Sequence, residues 1–95
     1  MEHFVYILYS QKLDRFYVGA SENVEKGLYI HNNPIEGRKF TAKGVPWELK
    51  LIIPCNDKTI ALKLERKIKN AKSRKLIQQL ISNEIFKLEY LTLYT

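Results

Sequence analysis

The stretch HFVYILYSQKLDRFYVGA, residues 3–20, decides the fold. Its first part, His3–Tyr9, is rich in aromatic and β-branched residues and apolar at successive positions, which predicts a strand covered on both faces. Ser10–Asp14 is a short polar loop, and Arg15–Ala20 (RFYVGA) is the returning strand of a hairpin. A loop of about four residues places Tyr6 and Tyr17 directly opposite each other on one face, and a slip of one residue would separate them. Gly19, two residues beyond Tyr17, leaves that face open to another backbone or a ligand. A cross-strand tyrosine pair is by itself more often core packing than chemistry.

Beyond the hairpin, Ser21 is the expected N-cap of a helix running to about His31, with Glu22 and Glu25 near the positive end of its dipole. Val24, Leu28 and His31 share one face of that helix. Asn32–Gly44 carries Pro34, Gly37 and Gly44 among polar and basic residues and is expected as an exposed loop. Trp47–Ile53 is a third strand, which Pro54 is expected to close. Asn56 or Asp57 caps a second helix through Lys69, with Ile60, Leu64 and Ile68 facing inward and a break at Asn70. Ser73 caps a third, to about Ile81. In Ile85–Thr95 the apolar Phe86, Leu88 and Tyr90 alternate with Lys87 and Glu89, which favours a strand before the alternation slips. That tail could pair with the sheet, pack over it or join another subunit. The order β-β-α-β-α-α is that of a small α+β sandwich, one domain over residues 1–82 with a tail at 83–95.

Length and composition agree. Ninety-five residues make one domain, and 45% hydrophobic with 27% charged residues is the balance of a folded soluble protein. The longest apolar runs fall far below the ~20 residues of a membrane span, so no membrane role is expected. An acidic residue and a histidine precede the first apolar run, which suits no secretory signal. Cys55 is the single cysteine, so no intramolecular disulfide can form; a cytoplasmic location is expected, and the thiol is expected to be buried or idle.

The charge is unevenly placed. Lys63, Arg66, Lys67, Lys69, Lys72, Arg74 and Lys75 share thirteen residues with one acid, Glu65, and so carry the whole net charge of +6. Such a stripe suits either a solvated helix face or a polyanion-binding surface, because neutralised phosphates release counterions. A chain otherwise neutral favours the second. Glu65, at the edge of the buried stripe, is either a salt-bridge partner or a ligand for a divalent ion whose shell water and phosphate complete. His31 could act as general base or phosphate donor, although helix C-termini favour histidine electrostatically in any case.

Taken together, these segments resemble the GIY-YIG nuclease domain, in its small single-domain form related to the nuclease module of the bacterial excision-repair machinery. VYI at Val5–Ile7 occupies the GIY position and YVG at Tyr17–Gly19 the YIG position. SENVEKGLYIHN at Ser21–Asn32 resembles the family's first helix with its histidine, and KFTAKGVPWEL at Lys39–Leu49 resembles the lead-in to the third strand. ALKLERKIK at Ala61–Lys69 resembles the helix that carries the metal-binding glutamate.

The resemblance implies a three-stranded antiparallel sheet flanked by helices and hydrolytic DNA cleavage with one divalent ion, Mg²⁺ or Mn²⁺. It implies that Tyr6 and Tyr17 line the site, His31 assists proton movement and Glu65 binds the metal. Lys63, Arg66, Lys67, Lys69 and Lys72 would hold flanking phosphates of DNA, with RNA left open as a substrate. A partner protein or a second copy could attach through the tail. One position departs from the pattern: the family's catalytic arginine stands four residues before the histidine, where this chain has Gly27. Positions four apart share a helix face, so an arginine there would lie beside His31. Lys26, about 100° around the helix, is a poor substitute and lacks the bidentate fork. Two functions therefore stand side by side, a metal-dependent endonuclease and a non-cleaving nucleic-acid-binding module of the same fold.

Overall fold

The structure is a computed structural model and describes residues 2–33 and 42–93. Strands β1 (His3–Ser10) and β2 (Arg15–Ser21) form the expected hairpin, and β3 (Trp47–Cys55) pairs antiparallel with the other side of β1. The sheet order β2-β1-β3 makes β1 central, and Val5, Ile7 and Leu8 are fully buried within it. Continuous apolarity in His3–Tyr9 has this cause: both faces of the strand are covered. Helix α1 (Val24–Asn32) packs on one face of the sheet. Helices α2 (Lys58–Ala71), α3 (Arg74–Ser82) and α4 (Glu84–Thr92) build the other side, giving β-β-α-β-α-α-α.

Strand alternation sorts the residues between these faces. Val5, Ile7, Val18 and Ile53 join Ala61, Leu64, Ile68 and Leu80 in an aliphatic core. Tyr6 and Leu8 join Val24 and Trp47 on the α1 side, with Tyr17 and Leu28 against them.

The hairpin register differs from the expected one. Ser10 pairs with Arg15 across residues 11–14, so Tyr6 faces Gly19 and Tyr17 faces Leu8. The tyrosines are diagonal neighbours rather than directly opposite. The offset is two residues, an even number, so both remain on one face.

Several boundaries also move. Asn23, not Ser21, caps α1: its side chain accepts from the Lys26 backbone N–H, while Ser21 ends β2. Pro54 does not close β3, which continues to Cys55; an edge strand tolerates a residue without an N–H donor. Asp57 caps α2 by accepting from Ile60 N–H at 2.9 Å. That helix passes through Asn70 to Ala71 and ends where Lys72 adopts a left-handed φ of 47°. Ser73 caps α3 as expected.

The segment favoured as a strand is helix α4, capped by Asn83, with Phe86, Tyr90 and Leu91 packed on the aliphatic core. Its apparent alternation gives way because helical spacing lets those three residues reach the core together. Most of the expected loop over Asn32–Gly44 lies outside the described residues.

Candidate active site

The α1 side of the sheet brings Tyr6, Tyr17 and His31 together. Tyr6, 4% exposed, and His31, 3% exposed, share a hydrogen bond of 3.1 Å between the phenol oxygen and Nε2. The Tyr17 ring lies 4.4 Å from the imidazole centroid, so the histidine sits between the two phenols. Three local features produce this cluster.

Gly19 faces Tyr6 across the strand pair, and a Cβ there would stand 2.5 Å from the phenol ring. The space that Gly19 leaves on this face is filled by Tyr6 itself, not by a ligand. Gly27 lies against the other edge of the same hydroxyl end, where a Cβ would be 3.1 Å from the hydroxyl. Asn32 fixes the end of α1. Its side-chain oxygen accepts from Trp47 N–H at 2.6 Å and its amide donates to Trp47 O at 3.1 Å, locking the helix bearing His31 to the start of β3. Sequence reading assigned Asn32 no role, because its partner lies 15 residues away and local pattern cannot register it.

Glu65 comes from the opposite layer. Helix α2 packs on the aliphatic face, yet the Glu65 carboxylate reaches past edge strand β2 into a concavity of about 380 Å³ that Tyr6, Tyr17 and His31 also line. Its side chain is 19% exposed, and Oε2 lies 3.3 Å from Lys69 Nζ. Lys69 Nζ also stands 5.4 Å from the Tyr17 ring centroid. Lys26, discounted by helical angle, lines the same concavity, as does Gly27.

The basic segment does not present a single face. At about 100° per residue, Lys69 lies on the Glu65 flank of the helix, Arg66 about a quarter-turn away, and Lys63 and Lys67 nearly opposite, while Lys72 caps the helix in left-handed backbone. Arg74 is engaged elsewhere: Nη1 donates to Asp14 O at 2.7 Å and Nη2 to Asp14 Oδ1 at 2.6 Å. The Tyr9 hydroxyl donates to that same carboxylate oxygen. These bonds, Tyr9 first and Arg74 second, hold the Asp14 carboxyl below its ordinary range, and the bond to Asp14 pushes the Tyr9 phenol up. Burial raises the Cys55 thiol, consistent with an idle cysteine.

Among the described residues no group of three or more His, Cys, Asp or Glu could cage a metal ion. One carboxylate beside phenols in an open concavity nonetheless suits a hard ion such as Mg²⁺, which keeps several waters and takes phosphate oxygens from its substrate. The donor set fits an ion completed by substrate and water, rather than one held by protein alone.

An antiparallel hairpin, a helix with His31 in its last turn and a glutamate delivered from the next helix thus meet at one concavity. The protein belongs to the GIY-YIG family: the model of the GIY-YIG catalytic domain matches residues 2–78. It is similar to a UPF0213 protein of Bacillus halodurans known from a solution NMR structure, at 28% identity over 88% of this chain and 86% of that one, with a TM-score of 0.55. The comparison with curated proteins finds no match. No helix among the described residues is long and apolar enough to cross a membrane.

Proposed function

We propose that the protein is a metal-dependent endonuclease that hydrolyses phosphodiester bonds in DNA. The observation that supports this reading most strongly is the convergence of Tyr6, Tyr17, His31 and Glu65 on one concavity, from two strands and from helices on opposite sides of the sheet. A divalent ion, Mg²⁺ or Mn²⁺, would supply Lewis-acid stabilisation of charge on the leaving oxygen. Glu65 is the residue to hold it, after exchanging its ion pair with Lys69. An ordinary phenol, with a pKa of ~10, is a weak base at neutral pH. Tyr6 overcomes this by handing its proton to His31 Nε2 as it takes one from the attacking water. Tyr17, more open than Tyr6, orients that water and packs the imidazole.

The test is nicking of supercoiled plasmid with Mg²⁺ or Mn²⁺. Metal-dependent nicking by the wild type, lost in Glu65→Ala while folding is retained, is the expected result. Absence of nicking with DNA binding retained would establish the second reading, a binding module that no longer cleaves. Gly27 favours that alternative: the position carries no cation, and a Cβ there would stand 3.1 Å from the Tyr6 hydroxyl. Loss of one transition-state donor typically costs about 10²–10³ in rate.

The same reading assigns the protein to the cytoplasm and to DNA repair, with residues 1–82 as the nuclease unit. Helix α4, which exposes Ile85 and Leu88, is its surface for a partner protein or a second copy.

A further inference from the structure

A second depression, of about 470 Å³, runs along β2 between that edge strand and the corner where α2 meets α3. It meets the active-site concavity at Tyr17, which lines both. Its floor is apolar, formed by Phe16, Val18, Ile68 and Ile77, and among the described residues its lining includes Arg15 and Lys72 but no acid. The other two cations there are committed, Lys69 to Glu65 and Arg74 to Asp14. Arg15 and Lys72 form no ion pair among the described residues.

From this arrangement we infer that the trough takes an unpaired nucleotide of a DNA strand whose next phosphate lies at the Tyr17–Glu65 site. The inference rests on the nucleic-acid-binding part of the proposed function and adds the class of substrate. A duplex offers a protein its phosphates and keeps its bases stacked inward, so an apolar floor between two cations gains nothing from it. An unpaired nucleotide brings both an anion and a flat apolar ring, and single strands are held by this combination of cationic rim and aromatic surface. Arg15 and Lys72 grip the phosphates on either side, and the base lies along the apolar floor beside the edge of Tyr17 and beside Phe16, whose ring carries the Arg74 guanidinium 5.2 Å from its centroid. Single-stranded ends, flaps and gaps present such a nucleotide; continuous duplex does not.

Fluorescence anisotropy tests this in EDTA, with a labelled single-stranded oligonucleotide and a blunt duplex of the same length. The wild type binds the single strand more tightly. The Arg15→Ala/Lys72→Ala variant, altered only at exposed side chains and checked for an unchanged Tm, weakens single-strand binding by about tenfold and duplex binding by much less. A 5-iodouracil oligonucleotide, irradiated on the wild type, crosslinks to Phe16 or Tyr17. Equal weakening on both substrates, no weakening, or crosslinks confined to other residues would overturn the inference. Because no metal is present, a protein that passes this test yet never nicks plasmid disproves the nuclease reading alone. A protein that nicks but fails it disproves only the trough.

Discussion

The two faces of the sheet are made from alternate residues of the same strands, yet they are built on different terms. One face is aliphatic: Val5, Ile7 and Val18 meet Leu64, Ile68 and Leu80, and any well-shaped hydrocarbon could serve there. The other is aromatic and polar: Tyr6, Tyr17, His31 and Trp47 stack and hydrogen-bond with specific partners, held by two glycines that admit no side chain comfortably. The first face is the larger hydrocarbon core, and the second carries the proposed site. A single β-strand supplies both because its side-chain period is two.

The sharpest way to break this division is Leu64→Ala. Leu64 is 2% exposed in the aliphatic core, and its truncation should cost about 2–5 kcal/mol, read as a fall in the urea midpoint. Glu65, its neighbour in sequence, should by contrast lose activity with little loss of stability when changed to alanine. Gly19→Ala is next. Its Cβ meets the Tyr6 ring at 2.5 Å, and overpacking of this kind costs about 1–3 kcal/mol; a stability within error of wild type would show that Tyr6 is free to move.

Tyr6→Phe removes one hydroxyl from the bond with His31, which should lower stability by about 1 kcal/mol but impair plasmid nicking far more. Equal proportionate effects would mean that the tyrosine is merely structural. The smallest effect belongs to the hairpin loop. Asp14 titrates below its ordinary range, so its contribution is complete above the unfolded value near pH 4 and fades as pH falls through the lower folded value. Asp14→Asn should flatten the acid limb of a Tm-against-pH curve and leave neutral pH nearly untouched.

How far these faces could be read beforehand depended on distance along the chain. The strands, the caps at Asp57 and Ser73 and the inward positions Leu64 and Ile68 follow from patterns within a few residues, and they stand as expected. Ser21 was displaced as a cap because Asn23, two residues on, offers the Lys26 N–H a better-placed acceptor; Ser21 instead accepts from Asn23 N–H at 3.0 Å. The tail misled because Phe86, Leu88 and Tyr90 satisfy a strand pattern locally. Its helix forms because Phe86, Tyr90 and Leu91 find the core exposed beside α3. For the site, the residue types and their order were legible, and the GIY-YIG resemblance joined them. Their contacts were not: the Tyr6–His31 bond spans 25 positions.

Sequence alone determined the hairpin, the alternation that puts both tyrosines on one face, and the concentration of charge around Glu65. Those properties reside in short-range periodicity and composition, which no partner is needed to express. Tertiary structure decided that Tyr6 lies over Gly19 and that Glu65 crosses the β2 edge to reach the phenols. Each of these depends on how two elements far apart in the chain meet, and packing between layers, rather than local preference, sets that geometry.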